Sequence, residues 1–310
     1  MFRDKGKIFL LIPIIVIISG FFIFRPNDKE EKNFVKIGIL ANLGTTQEEF
    51  QEKLDSTRNF LNTSENFSEF RDENPPENFI SSIMNEARTI YFHDSLMSAL
   101  MSMKAGKIDE FMLPENVGNY LMAQNSSYEI RFITDILLSK ISFGFRENEK
   151  ELKSEFDKVI KEIKSDGTLD ALIDKYVINF ADNRQSIKPE TFKDAPTIKV
   201  AVTGDMPPVD MFAGDGKPAG FNTAVLSEIG RRLKRNIKFV NVDTGGRTSA
   251  LFSGRADVVF WYVITESKLE GYDPLDDIFK DVSPGVILSE PYFSWDKEFI
   301  IRLKQSKNLF

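Results

Sequence analysis

Two short stretches, residues 103–109 (MKAGKID) and 251–257 (LFSGRAD), repeat one pattern in the two halves of the chain. In each, the apolar end of a predicted helix is followed by a glycine, a basic residue and, two positions later, an aspartate. A glycine can adopt the left-handed conformation that ends a helix, and the aspartate stands at the start of an apolar, strand-like run. The repeated helix-to-strand connection predicts two lobes of similar design, in which both aspartates have a structural role.

Around these connections, each half alternates strand-like runs with stretches of helical spacing. The predicted strands are residues 35–40, 88–92, 108–113, 198–202, 237–242 and 258–262. The order β-α-β-α-β in each half predicts an α/β fold in which each lobe holds a mostly parallel, doubly wound sheet. Apolar residues at helical spacing between positions 152 and 176 predict two further helices. Residues 181–196 are polar with two prolines and predict a linker.

The composition excludes several classes of function. The chain has 310 residues, which suggests about two domains. It has no cysteine, so disulfides, a thiol nucleophile and a lipid-modified N-terminal cysteine are excluded. Its one histidine rules out a multi-histidine metal site, and the net charge of -7 argues against nucleic acid as a partner. We therefore expect a small-molecule ligand, with no metal or other cofactor.

The N-terminal residues 8–24 (IFLLIPIIVIISGFFIF) are apolar and uncharged, which predicts one transmembrane helix. Basic residues precede this segment, so the positive-inside rule places the chain from about residue 34 onward outside the cytoplasm. A cleaved signal peptide is the alternative, although the residues after Gly20 make a poor cleavage site. In both cases the folded part is predicted to be extracytoplasmic; with the helix retained, it is a single-pass protein of the cell membrane.

Several motifs at matching intervals resemble the extracellular solute-binding proteins of family 3, the amino-acid-binding proteins of ABC importers. In the C-terminal half these are residues 204–208 (GDMPP), 216–222 (GKPAGFN), 253–257 (SGRAD) and 289–292 (SEPY). In the N-terminal half they are residues 44–46 (GTT), 105–109 (AGKID) and 164–169 (KSDGTL). The resemblance implies a two-lobed, periplasmic-binding-protein type II fold over about residues 36–178 and 198–304.

The order of the lobes is reversed relative to the family, in which the lobe resembled by the C-terminal half comes first. Circular permutation at the interlobe hinge would give this order, with residues 298–303 (EFIIRL) as the strand that enters the hinge. Two partial copies, or a partner chain that supplies missing pieces, are the alternatives. The predicted division is residues 1–34 as anchor and stalk, 35–180 as the second-lobe-like domain with closing helices, 181–196 as the linker and 197–310 as the first-lobe-like domain.

The resemblance also implies where a ligand binds. A carboxylate would meet an arginine fork in one lobe and the amides at a helix start in the other, while an amine would meet acidic residues. Lys268 stands at the arginine position, and Pro114 takes the place of the usual amine-binding aspartate, with Glu115 beside it. The predicted ligand-binding residues are Gly44, Thr45, Thr46, His93, Glu115, Asp205, Trp261, Tyr262, Thr265 and Lys268.

Each of these residues has a structural alternative. Thr45 and Thr46 suit a helix N-cap, and His93 suits a half-buried loop. Asp205 suits a turn before two prolines, Trp261 the core and Lys268 a solvated helix start. Because lysine lacks the planar fork of arginine, Lys268 leaves amino-acid specificity open. Trp261 and Tyr262, near the end of a strand, suit an apolar or stacking wall, since ligands of open α/β sheets bind beyond the carboxyl ends of the strands.

The sequence therefore favours a membrane-anchored binding protein, not an enzyme, that captures a small polar, amino-acid-like ligand for an ABC permease or a membrane sensor. Two alternatives stay open. The missing arginine and aspartate suit a degenerate relative that has lost its ligand and serves in protein contacts. An enzyme of related fold, such as a dehydratase, would have to rely on carboxylates for acid–base chemistry.

Overall fold

The computed structural model describes residues 34–40, 88–134, 137–180, 185–267 and 282–304, together with residues 47, 48, 50–52, 55, 56 and 59. The predicted membrane segment at residues 8–24, the predicted GTT loop at residues 44–46 and Lys268 lie outside these described residues. Within them, no helix has both the length and the apolar character needed to cross a bilayer. Contacts group the chain from Val35 onward into one compact unit.

Among the described residues, sheet A has five strands. They are β1 (Val35–Leu40), β2 (Arg88–His93), β3 (Glu110–Pro114), β4 (Tyr128–Thr134) and β13 (Glu298–Leu303), and their spatial order is β2-β1-β3-β13-β4. β1 pairs in parallel with β2 and β3. β13, from the C-terminal part of the chain, lies antiparallel between β3 and β4.

Sheet B repeats this design with strands from the other half. They are β5 (Leu137–Arg146), β6 (Thr197–Val202), β9 (Asn236–Asn241), β10 (Val258–Ser267) and β11 (Val286–Leu288), in the order β11-β5-β10-β6-β9. β12 (Phe293–Trp295) also pairs with β5, while β7 (Met211–Phe212) and β8 (Pro218–Ala219) form a small separate ribbon. β6 pairs in parallel with β9 and β10, and β5 runs antiparallel beside β10.

Each sheet therefore contains one strand that arrives from the other half of the chain. Along the named strands, the chain passes between the sheets twice, from β4 to β5 and from β12 to β13. An arriving strand enters against the direction of the others, so both sheets are mixed. The sequence predicted mostly parallel sheets, and this holds for the direction of most strands but not for every pairing.

Helices cover both sheets. α1 (Leu96–Lys104) and α2 (Glu115–Gln124) pack on sheet A and complete lobe A. Lobe B consists of sheet B with α3 (Lys150–Ser165), α4 (Thr168–Ile173), α5 (Phe221–Leu233) and α6 (Arg247–Phe252). The predicted apolar stripe of α3 is buried, and α3 and α4 both contact α5. The helices that precede the predicted linker thus pack with the lobe that follows it.

The repeated glycine–aspartate pattern has the same structure in both lobes. Gly106 and Gly254 have φ values of +68° and +71°, the left-handed conformation expected at these helix ends. Asp109 Oδ2 accepts a hydrogen bond from the Lys36 amide at 2.8 Å, and Asp257 Oδ2 accepts one from the Lys199 amide at 2.9 Å. Each aspartate therefore fastens the start of the third strand to the first strand of its lobe, which confirms the predicted structural role.

Candidate functional site

Asp205 lies at the carboxyl end of the parallel strands of lobe B. The chain leaves β6 at Val202 and turns, so that the half-buried Asp205 accepts a hydrogen bond at Oδ2 from Thr244 Oγ1 at 2.5 Å. Thr244 begins a short 3₁₀ turn that follows β9, the parallel neighbour of β6. This is the edge at which ligands bind in open α/β sheets, because the loops that follow parallel strands converge there.

Opposing effects act on the pKa of the Asp205 carboxyl group. Burial raises the pKa of its carboxyl group, while the hydrogen bond from Thr244 and the charge of Arg247 oppose this shift. Arg247 is buried, and its Nε donates to the carbonyl oxygen of Thr244 at 3.1 Å. Beside this edge lies a pocket of about 390 Å³, whose wall includes Thr203 and Asp243 but not Asp205.

Asp210 stabilises the loop that carries Asp205. The buried Oδ2 of Asp210 accepts hydrogen bonds from the amides of Thr203 and Gly204 and, at 3.2 Å, from the hydroxyl group of Thr203. The same hydroxyl oxygen accepts a bond from the Asp205 amide at 3.4 Å. Burial raises the pKa of Asp210 to about 7 despite these bonds. Asp210 thus fixes the backbone that carries Asp205 and is itself buried.

In lobe A, His93 ends β2 at the corresponding edge. Its ring is half-buried, and Nδ1 lies 3.4 Å from Ser98 Oγ. Nε2 is buried and has no hydrogen-bond partner among the described residues. Burial lowers the pKa of His93, and nearby Asp94 opposes this shift. His93 is paired in register with Leu40, the residue after which the chain continues toward the predicted GTT loop.

Glu115 follows β3 directly and is the first residue of α2. Its amide donates a hydrogen bond at 3.0 Å to the carbonyl oxygen of Lys297, in the segment that joins the two lobes. Glu115 therefore lies where sheet A meets the interlobe connection, at the carboxyl end of β3.

The two lobes also touch away from the strands that they exchange. Tyr120, on α2 of lobe A, packs against three buried residues of the β7–β8 region of lobe B, namely Met211, Ala213 and Ala219. Its ring centroid lies 5.3 Å from that of Phe180, which follows the closing helices. α2 therefore forms a second bridge between the lobes.

The predicted site residues are only partly accounted for by the described structure. Among the described contacts, none joins His93, Glu115 and Asp205 to one another. Trp261, Tyr262 and Thr265 belong to β10, but their side chains lie outside the described part of the chain, as do Gly44, Thr45, Thr46 and Lys268. Among the described residues, no group of three or more His, Cys, Asp or Glu side chains is placed to hold a metal ion.

Sequence reasoning missed Thr244, Arg247 and Asp210. Thr244 and its two following glycines come shortly after a predicted strand, but Asp205 was selected through a motif of the resemblance, and Thr244 belongs to no such motif. Arg247 and Asp210 gave no comparable signal, because only the folded chain shows that these charged side chains are buried.

Residues 198–306 match the sequence model of the Bacterial extracellular solute-binding proteins, family 3. The resemblance to family 3 is confirmed for this segment. It contains Asp205, Asp210, Thr244 and Arg247, so the site described in lobe B lies entirely within the matched segment. No curated protein sequence matches the chain.

Solved structures with some similarity include several binding proteins of transport systems. A ligand-binding component of an ABC-type import system from Staphylococcus aureus, solved with zinc bound, is 9% identical, covers 87% of this chain and has a TM-score of 0.38. A periplasmic substrate-binding protein of an ABC transporter from Coxiella burnetii is 11% identical, with 89% of this chain and 87% of that chain covered and a TM-score of 0.38. A putative L-cystine ABC transporter from Listeria monocytogenes is 9% identical, with 89% and 85% covered and a TM-score of 0.39.

The chain spans only part of some of these proteins. It covers 66% of the Staphylococcus aureus protein and 38% of a Bordetella pertussis BvgS periplasmic-domain structure, which is 12% identical over 89% of this chain with a TM-score of 0.37.

Proposed function

We propose that the chain is an extracytoplasmic, membrane-anchored solute-binding protein that closes two lobes over a small polar, amino-acid-like ligand. Residues 8–24 serve as the anchor, and the partner that receives the closed form is an ABC importer permease or a membrane sensor. The ligand contacts Asp205 in lobe B and the predicted residues of lobe A, with Trp261, Tyr262, Thr265 and Lys268 completing the lobe B side.

One observation carries this proposal: Asp205 is held by Thr244 at the carboxyl edge of parallel strands within family 3 sequence. Partial burial raises the pKa of this carboxyl group, so a ligand that brings a positive charge or hydrogen-bond donors stabilises its ionised form. An ammonium group supplies both, which is why an amine-bearing ligand is the preferred class.

The lobe order is part of the proposal. We take the chain to be a circular permutant. The exchange of β5 and β13 supports this, because the described strands follow one spatial order in both sheets: the lobe's second strand, its first, its third, the strand from the other half and the lobe's fourth. The alternatives are two partial copies, or a partner chain that supplies missing pieces. Each would be expected to leave one sheet without its crossing strand.

Isothermal calorimetry on the full chain, kept in mild detergent, tests the binding function. A panel of amino acids, amines and small organic acids is titrated into the wild-type chain, Asp205→Asn and Asp170→Asn, the last being an exposed position on α4. We expect at least one amine-bearing compound to bind the wild type and Asp170→Asn, and to bind Asp205→Asn at least tenfold more weakly. No heat from any compound would instead favour the degenerate, non-binding relative.

The enzyme alternative is weakened by the position of the carboxyl groups. Asp205 and Asp210 both have raised pKa values, but Asp210 is buried beneath the loop and is committed to Thr203 and Gly204. A general acid and a general base must both reach the substrate. This pair does not present two carboxyl groups to one open site.

Membrane anchoring has a separate test. Carbonate extraction of membranes from expressing cells should leave the full chain in the pellet. A variant without residues 8–24, exported with a cleavable signal, should appear in the soluble fraction. If the expressed full-length chain instead yields a soluble product whose mass lacks the N-terminal segment, that segment is a cleaved signal peptide.

A further inference from the structure

A buried hydrogen bond spans one of the two crossings between the lobes. The indole Nε1 of Trp295, at the end of β12 in sheet B, donates to Oε1 of Glu298, at the start of β13 in sheet A, at 2.6 Å. Both residues are buried. Only Asp296 and Lys297 separate them, so this bond closes the short connection from sheet B to sheet A.

Both crossings meet at Glu298. In the antiparallel pair of β13 with β4, Glu298 lies opposite Thr134, the last residue of β4 before the chain passes to sheet B. The hydroxyl group of Thr134 is buried and has no hydrogen-bond partner among the described residues. On the other side, Glu298 pairs with Pro114 of β3. The amide of the next residue, Glu115, donates a hydrogen bond to the carbonyl oxygen of Lys297 at 3.0 Å.

On balance, the surroundings of the Glu298 carboxyl favour its neutral form. Burial raises its pKa to about 8; the hydrogen bond from Trp295 opposes this shift, and the charge of Glu115 on α2 adds to it. β3 and β4 contribute the uncharged Pro114 and Thr134. An ionised carboxylate at this place would lack a compensating charge from these neighbours, and it is stabilised only when water reaches it.

We propose that Glu298 is a proton-operated latch of the interlobe hinge: the neutral carboxyl keeps the crossing closed, and the ionised carboxyl opens it by drawing water between the strands. Opening a hinge requires backbone changes at only a few positions at the ends of elements, and Trp295 to Glu298 are such positions. The latch acts on the lobes themselves and does not depend on the identity of the ligand.

The direction of the pH effect follows from linkage. An exposed Glu298 in the open form would regain its ordinary pKa of 4.5, whereas the pKa is raised to about 8 in the structure, where the Trp295 hydrogen bond closes the crossing. The open form therefore binds fewer protons between about pH 5 and 8. The ratio of open to closed molecules should rise with pH over this interval, by at most about tenfold per pH unit, and should level off above about pH 8.

The experiment measures interlobe distance in the full chain. Because the chain has no native cysteine, Met101→Cys on α1 and Asp170→Cys on α4 give two unique spin-labelling sites, both exposed, one in each lobe. Pulsed double electron–electron resonance measures the distribution of distances between the two spin labels in the ligand-free chain from pH 5.5 to 9. We expect the long-distance population to increase up to about pH 8 and then to stay constant.

Three substitutions in this labelled background separate the latch from a general effect of pH. Glu298→Gln is neutral at every pH and should abolish the response. Glu115→Gln removes the charge that raises the Glu298 pKa, so the response should move to lower pH. Trp295→Phe removes the hydrogen bond that lowers the Glu298 pKa, so the response should move to higher pH. An unchanged response in folded Glu298→Gln, or no wild-type response, would overturn the proposal. If Glu298→Gln does not fold, the opposite displacements of the other two variants decide, and the absence of both displacements rejects the latch.

Discussion

The hydroxyl group of Thr244 donates a hydrogen bond to Asp205 Oδ2 at 2.5 Å, and this bond joins the loops that follow two neighbouring parallel strands. The bond matters beyond its own energy, because it orients the carboxyl group and lowers its pKa against the effect of burial. Asp205 is thereby presented at the edge of lobe B in a fixed direction, as a group that binds a ligand between the lobes must be.

Thr244→Val should raise the pKa of Asp205, since valine keeps the shape of threonine but lacks the donor. Carbon-detected NMR titration of the aspartate carboxyl groups, assigned through Asp205→Asn, measures this shift directly. Any amine-bearing ligand found by calorimetry should also bind about three- to tenfold more weakly, because the orienting hydrogen bond on Asp205, with a net contribution of about 0.7–1.4 kcal/mol, is lost. Thr244→Ser keeps the hydroxyl group and should behave like the wild type. An Asp205 pKa that is equal in the valine and serine variants would contradict this account.

Asp210 should make the chain less stable as the pH rises. Its pKa is raised from 3.8 to about 7 in the folded chain, so the folded chain binds one more proton than the unfolded chain between these values. The contribution is fully present below about pH 4 and is lost as the pH passes through 7. In Asp210→Asn, the slope of the unfolding free energy against pH between 4.5 and 6.5 should change by up to about 1.4 kcal/mol per pH unit.

Urea denaturation at several pH values gives these slopes for the wild type and Asp210→Asn. Asp215→Asn, an exposed aspartate in the same lobe, is the control. Its pKa is lowered rather than raised, mainly by the hydrogen bond from the Lys217 amide, so its replacement should not flatten the profile in this interval. Parallel profiles for the wild type and Asp210→Asn would mean that Asp210 does not hold a proton in the folded chain.

The alternation of strands and helices was predictable from local pattern, and so were several boundaries. β1 has the predicted bounds, 35–40, and β6 begins one residue before the predicted strand at 198–202. The prediction had no element for residues 115–146, which form α2, β4 and β5. In α2 the sequence ENVGNYLMAQ contains glycine and asparagine, poor helix formers whose cost is offset by packing on β3 and β13.

The exchange of strands between the sheets was less accessible to sequence reasoning. Residues 298–303 were predicted to be a strand that enters the hinge, and the structure confirms the strand, β13, with these bounds. A two-residue period identifies a strand but not the sheet that it joins, so nothing in residues 137–146 indicated that β5 lies in sheet B. For the site, Asp205 was found through a motif, whereas the burial of Asp210, Arg247 and Glu298 depends on long-range packing that local pattern does not encode.

Tyr120→Ala should loosen the second bridge between the lobes. The ring packs against Met211, Ala213 and Ala219 across the interface, and its loss should cost about 1–2 kcal/mol of unfolding free energy, since Tyr120 is only half-buried. Small-angle X-ray scattering of the full chain should show a larger radius of gyration than for the wild type. Tyr120→Phe keeps the ring and is the matched control. Equal scattering profiles for the alanine and phenylalanine variants would mean that the contact does not restrain the lobes.

Gly118→Ala on α2 sets two known effects against each other. In an open helix this change stabilises by about 1 kcal/mol, because glycine is a poor helix former. Here an added Cβ would lie 2.5 Å from Cδ2 of Phe299 and 3.1 Å from Cδ1 of Leu113, both buried side chains of sheet A. Overpacking of a filled core costs about 1–3 kcal/mol, so we expect a net destabilisation of up to about 2 kcal/mol.

Chemical denaturation of Gly118→Ala, Phe299→Leu and the double variant decides whether that close approach is responsible. A leucine at position 299 removes the ring atom that the new methyl group meets, so the double variant should be more stable than the sum of the two single effects. Gly214→Ala, where an added Cβ has no neighbour within 4 Å, should change stability by less than about 0.5 kcal/mol. Strict additivity of the two single effects would show that α2 does not approach β13 this closely. In that case the position of Glu115 beside the interlobe crossing would also need revision, because α2 carries both residues.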